Sequence, residues 1–259
     1  MNDVQFKHII NGGDMGENQI IKENIMINVI PYETLGHADH GWLDARHHFS
    51  FARYVDRSRT GFGVLRVIND DRVAAGRGFG AHPHDNMEII TYVRSGAITH
   101  KDNLGNKGRT KAGDVQVMSA GSGVFHSEFN LESEDTTLYQ IWIIPADRDV
   151  APRWEAAEFP EEPISDQLHV LVSGRDEDKA RGALFIHQDA AIYGGRLSSG
   201  KVIKQDVKHQ AYILVSKGEI TVNGKKLKQG DGAEVTQVKQ IEIAAFSEAE
   251  ILVIDVPEN

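Results

Sequence analysis

The apolar residues of this chain come in short runs rich in Val, Ile, Tyr and Phe, cut at close intervals by Gly, Asn and Asp. That spacing leaves room for β-strands and little else. Glu88 to Val93, Thr137 to Ile144, Leu168 to Val172, Tyr212 to Val215 and Ile251 to Val256 are such runs. Between two of them, Asn223-Gly224 supplies a two-residue hairpin turn, because both residue types tolerate positive φ; Asp102 to Asn106 reads as a longer loop of the same kind. A helix is expected only near Pro152 to Glu158. The chain reads as all-β with few short helices, and its 259 residues suffice for one large β domain or two smaller ones.

An internal repeat favours two. Val93-Arg-Ser-Gly96-Ala-Ile-Thr99 resembles Val215-Ser-Lys-Gly218-Glu-Ile-Thr221 at an offset of 122, and the pairs Gly113-Asp114 and Gly230-Asp231 follow in the same order at an offset of 117. Pro145, Pro152, Pro160 and Pro163 crowd the joint, so the expected division is 1–150 and 151–259. Asp and Glu number 38 against 28 Lys and Arg, with no basic cluster, a balance that repels phosphate backbones and anionic lipid and argues against direct nucleic-acid contact. No apolar run approaches the roughly 18 residues a membrane span needs. The opening MNDVQFKHII has no charged segment followed by a long apolar one, so a cytoplasmic, monomeric protein is expected. Cysteine is absent, which leaves nitrogen and oxygen as the only metal donors.

Two short segments concentrate such donors. In Gly80-Ala-His82-Pro-His84-Asp-Asn-Met-Glu88 the two imidazoles are two residues apart, so in an extended chain both face the same way. Pro83 between them removes a ladder hydrogen bond and implies a strand start or an irregular edge. His126-Ser127-Glu128 repeats the spacing and adds a third imidazole and a carboxylate. A single His-x-His pair among 12 histidines is as a rule a packing accident; two same-face pairs, each beside a glycine-bearing turn, are not so easily dismissed. Three neutral imidazoles and a carboxylate suit a divalent first-row metal and leave up to two octahedral positions for visitors. The repeat carries His82 to Lys204, His84 to Asp206, Glu88 to Gln210, His126 to Ile243 and Glu128 to Ala245, so the second unit should bind no metal by this route.

The stretch from Gly76 to Asn130 resembles the two cupin motifs, with Ser119 where many cupins have proline. Within the cupins the chain is similar to the pirin family, particularly its bacterial quercetinase-type members. The resemblance rests on Arg46-His-His-Phe-Ser-Phe51, Leu65-Arg-Val-Ile-Asn-Asp70, His82-Pro-His84, Glu88-Ile-Ile-Thr-Tyr-Val93, His100-Lys-Asp102, Gly113-Asp-Val-Gln116, Met118-Ser-Ala-Gly121, His126-Ser-Glu128 and Gln140-Ile-Trp142. It implies a bicupin, two double-stranded β-helix (jelly-roll) barrels face to face, with one divalent transition metal in the N-terminal barrel and a metal-free C-terminal barrel. The implied ligands are His82, His84, His126 and Glu128, which leaves Glu88 to pack or to support them from behind. Iron is expected first, with Mn, Ni, Co, Cu or Zn as alternatives these donors also accept.

The resemblance further implies a quercetin 2,3-dioxygenase, opening the flavonol heterocycle with O2 and releasing CO, with Glu128 taking the 3-hydroxyl proton. The alternative it carries is a metal-containing regulatory module that acts through partner proteins without turnover. A flavonol needs an apolar cavity, for which Phe51, Phe79, Met118 and Phe125 lie close to the motifs. His47, His48 and His100 are nearby histidines without an assigned role.

Overall fold

The alternation expected of the apolar runs is realised throughout the computed structural model, which describes residues 26–259; the opening segment discussed above lies outside them. The first strands are β1 (Met26–Ile30), β2 (Gly36–Asp39), β3 (Leu43–His47), β4 (Leu65–Val73), β5 (Gly78–His84) and β6 (Glu88–Ser95). Next come β7 (Ala97–Asp102), β8 (Lys107–Lys111), β9 (Val115–Ser119), β10 (Val124–Phe129), β11 (Thr136–Ile143) and β12 (Arg153–Ala157). The second unit contains β13 (His169–Ser173), β14 (Leu184–Phe185), β15 (Ala191–Leu197), β16 (Val202–Asp206) and β17 (Gln210–Lys217). It ends with β18 (Glu219–Val222), β19 (Lys225–Lys228), β20 (Gly232–Thr236), β21 (Gln240–Ala245) and β22 (Ala249–Val256).

Each unit folds a seven-stranded sheet over a four-stranded one. In the first the orders are β12-β9-β6-β11-β4-β3-β2 and β5-β10-β7-β8; in the second they are β1-β20-β17-β22-β15-β13-β14 and β16-β21-β18-β19. The repeat is visible in the turns: Gly96 between β6 and β7 and Gly218 between β17 and β18 have φ of 72° and 84°, and Gly113 and Gly230 both have 88°. Side chains would be strained at all four. The Asn223-Gly224 hairpin has φ of 45° and 80°, the pair of positive angles a tight two-residue turn requires.

The two seven-stranded sheets pack face to face. Ile90, Tyr92, Val117, Tyr139 and Ile141 from one meet Val172, Ile192, Tyr212, Leu214 and Leu252 from the other in a continuous buried cluster. The units also exchange strands: β1 pairs with β20 of the second sheet, and β12, which follows residue 150, pairs with β9 of the first.

That pairing corrects the one helix expected from sequence. Arg153 to Ala157 is an extended edge strand, because Trp154 gains more by lying against the first barrel than Glu155-Ala-Ala gains from helix propensity. Among the described residues the only helices are 3-10 turns, Tyr32–Thr34 and Asp176–Arg181, and no helix is long and apolar enough to cross a membrane.

Candidate metal centre

His82 and His84 sit on β5, an edge strand of the four-stranded sheet, where Pro83 is tolerated and points outward while the two imidazoles turn in. β10 lies beside it with His126 opposite His82 in register, and a bulge follows before Glu128. His126 and Glu128 are both 3% exposed. The donor atoms of His82, His84 and His126 all lie within 4.8 Å of one another, and those of His100, His126 and Glu128 form a second, overlapping group. The structure thus brings the three expected imidazoles together and seats Glu128 beside His126, with His100 as an additional neighbour.

The hydrogen bonds fix which ring nitrogens are free. His82 Nδ1 is 2.7 Å from the Gly80 carbonyl, which can only accept, so Nδ1 carries the proton and Nε2 a lone pair. Behind His126, the Asp102 carboxylate accepts from His100 Nε2 at 3.1 Å, and His100 Nδ1 faces His126 Nδ1 at 3.4 Å. His126 therefore donates through Nδ1, leaving Nε2 with its lone pair aimed at that of His82, 3.1 Å away. Two lone pairs that close repel unless a cation lies between them. The spacing is that of two ligands at a right angle, each about 2.1 Å from a first-row ion, so the donor set fits a metal. Burial, with the neighbouring imidazoles, pushes His84 down to about 4 and His126 down to about 3, so both are neutral at pH 7, the form a metal binds.

Glu128 is held by side chains from the facing sheet. Gln116 Nε2 and Thr91 Oγ1 donate to its Oε1 at 2.5 and 3.3 Å, and Gln140 Nε2 donates to Oε2 at 2.9 Å. Burial raises its pKa, with His100 and the hydrogen bonds opposing. These three partners and Asp102 had no role in the sequence reading. The signal was there for three of them: Thr91, Gln116 and Gln140 are polar residues on strand faces otherwise occupied by apolar ones such as Ile89, Met118 and Leu138. Asp102 stands two residues after inward His100.

Glu88 lies on the other face of β6, toward the second unit, and accepts from Ser119 Oγ at 2.7 Å. Burial pushes it up to about 7. Ser119, the residue that departs from the cupin pattern, is thus the partner of that carboxyl.

A cavity of about 920 Å³ opens onto His82, His84, His126 and Glu128. Phe51 and Phe79 line it, together with Trp42, Tyr54 and Trp142; Met118 and Phe125 do not. Met118 packs beneath with Ile89, Val124 and Trp154, and Phe125, next to inward His126, alternates to the outside and is 55% exposed. His47 lines the cavity and bonds Asn69 Oδ1 at 2.8 Å, whereas His48 is sealed between the units against the Tyr212 hydroxyl at 2.9 Å. His100 is sealed behind the site and stacks on Trp154 at 4.9 Å.

In the second barrel Lys204 and Asp206 are exposed, and the inward positions of β16 and β21 are Ile203, Gln205, Ile241, Ile243 and Ala245. The register therefore differs by one residue from the simple offset on β16. Among the described residues no metal-binding group forms there.

Two family models match the chain: pirin over residues 29–143, and the quercetinase C-terminal cupin domain over residues 170–256. A Zymomonas mobilis protein with a provisional quercetin 2,3-dioxygenase name is 52% identical over 231 residues, 88% of this chain and 97% of that protein. Quercetin 2,3-dioxygenase from Escherichia coli K12 is 44% identical over 225 residues, 86% of this chain and 95% of the other. The bacterial pirin YhhW from Escherichia coli, solved in complex with nickel(II), has a TM-score of 0.82 at 41% identity and covers 90% of this chain and 100% of its own. With two cupin barrels, an inward cluster of histidines in the first, and relatives matched over nearly their whole length, the chain belongs to the pirin family.

Proposed function

We propose that the protein is a metal-dependent flavonol dioxygenase, cleaving the heterocycle of quercetin-like substrates with O2 and releasing CO, with His82, His84, His126 and Glu128 as ligands of one divalent first-row metal. The observation that carries this reading is the position of the histidine cluster at a cavity of about 920 Å³ whose wall is aromatic, a size and lining that fit a three-ring flavonol. When bound, the metal supplies positive charge that stabilises a deprotonated 3-hydroxyl and orients it.

The chain's own residues do the rest. Glu128 takes the 3-hydroxyl proton, its carboxylate held in one orientation by Gln116, Thr91 and Gln140. Trp142 stands edge-on to both His84, at 5.0 Å, and Phe51, at 5.5 Å, so it shields the imidazoles from water and offers a flat wall to the substrate. Trp42 and Phe79, edge to face at 5.2 Å, form another part of the cavity wall. Iron is the first metal to try, and nickel the second, since a relative holds it.

The test is to load the protein with Fe, Mn, Co, Ni or Cu in turn and follow quercetin absorbance and CO release in air. Turnover with at least one metal, lost together with bound metal in His126→Ala, is the expected result. Absence of turnover with every metal would overturn the enzymatic reading and leave a metal-containing module acting through partner proteins.

A further inference from the structure

Of the two carboxyls that line the cavity, Glu128 is held by three donors, whereas Asp71 has none among the described residues. It lies on β4 between Ala45 of β3 and Leu138 of β11 in register, is 3% exposed, and lines the same cavity as the histidine cluster. Its Oδ1 is buried and has no hydrogen-bond donor among the described residues, as Gln140 Oε1 and Trp142 Nε1 beside the same cavity also lack a partner. The adjacent Asp70 is paired with Arg94, whereas Asp71 has no cation among the described residues. Burial first, then the carboxyls of Asp70, Glu128 and Asp44, hold it well above the ordinary carboxyl range, which favours the protonated form, with an O–H to give and lone pairs to accept.

Buried polar groups are almost always paired, and an unpaired one costs stability. No described protein atom pairs with the carboxyl, so the part of it that faces the cavity is left for a ligand. A carboxylic acid that can both give and take matches a hydroxyl, which can do the same. The surrounding wall of Trp42, Phe51, Tyr54, Phe79 and Trp142 accepts a ring largely through aromatic faces, which hold a hydroxylated ring and a bare one alike.

We propose that Asp71 is a specificity-determining residue that reads a ring hydroxyl of the aromatic substrate, selecting polyhydroxylated flavonols over bare ones. The inference rests on the flavonol reading above. It assigns recognition to Asp71 and leaves proton transfer and metal binding with the residues already named.

The experiment compares quercetin with 3-hydroxyflavone, which keeps the flavonol 3-hydroxyl and lacks all the others. Binding to nickel-loaded protein is measured without O2 by quenching of tryptophan emission, since Trp42 and Trp142 line the cavity. The expected preference of the wild type for quercetin is about tenfold or more, the equivalent of one good hydrogen bond. Asp71→Leu should bring the ratio to within about twofold of unity by weakening quercetin alone. Asp71→Asn, which still gives and accepts, should restore part of it. The thermal midpoint of Asp71→Leu should equal or exceed the wild type's, because an unpaired buried acid has gone; a residue that holds the fold together would lower it. Should the leucine chain fail to fold, Asp71→Ala, which adds no bulk, replaces it.

An unchanged ratio in the variant, or equal weakening of both ligands, overturns the proposal while leaving flavonol turnover intact. Absence of quenching by either flavonol in the wild type removes the flavonol reading and this inference with it.

Discussion

His126 is held from behind by a chain of three buried groups, Asp102, His100 and its own Nδ1, and the chain sets where its lone pair points. Such outer partners are worth about 10–100-fold in metal affinity. His100→Ala is therefore expected to weaken metal binding by about that factor in competition with a chelator, without removing a ligand. His48 makes a different contribution. Burial, reinforced by Arg59 and His47, pushes it down to about 3, so between about 3 and 6.5 the unfolded chain binds a proton that the folded one refuses. Its contribution to stability is complete above pH 6.5 and is lost as pH falls through that window. Between pH 7.5 and 5.5 the loss from this residue is about 1.4 kcal/mol. Urea unfolding of His48→Gln at the two values should show a difference smaller than the wild type's by that amount. A difference equal to the wild type's would mean that His48 is protonated in the folded state.

The strand that sequence misassigned is the one that closes the site. β12 runs along the edge of the first sheet and lays Trp154 flat on His100, with the planes 9° apart. Gly108 on β8 makes this possible, because a Cβ there would meet the Trp154 ring at 2.1 Å. Gly108→Ala must displace the indole, and a cost of about 1–3 kcal/mol is expected, as for other overpacked sites. The check is a shift of the denaturation midpoint together with altered tryptophan emission; an unchanged emission spectrum would show that the indole had not moved. Alternation on β10 decides the rest locally. His126 and Glu128 turn inward and Phe125 outward because their positions differ by odd and even steps, which is also why Phe125 forms no part of the cavity wall.

At the scale of the molecule the two barrels share one apolar seam. Each fully buried large side chain there contributes about 1.5–3 kcal/mol, so Ile90, Tyr139, Tyr212 and Leu214 together rival the roughly 5–15 kcal/mol net stability of a whole domain. Arg94 adds polar bonds across the seam, donating to Asp70 on one side and to Ser216 Oγ and the Ser216 carbonyl, each at 3.2 Å, on the other. With β1 and β12 exchanged as well, calorimetry of the full chain should show a single unfolding transition. Two resolved transitions would mean that the units are independent. The chain's own pattern settled the β class, the tight turns and the inward facing of His82 with His84 and of His126 with Glu128, because period-two alternation and positive-φ glycines are local properties of backbone and side chain. Its likeness to the pirins pointed to Glu128 over Glu88. Tertiary structure decided what no local rule encodes: that Arg153 to Ala157 pairs as a strand, that Glu88 faces the second barrel, that His100 backs His126, and that Asp71 has no partner among the described residues. Each of these depends on a contact between residues far apart in the chain, and such a contact exists only once the sheets have closed.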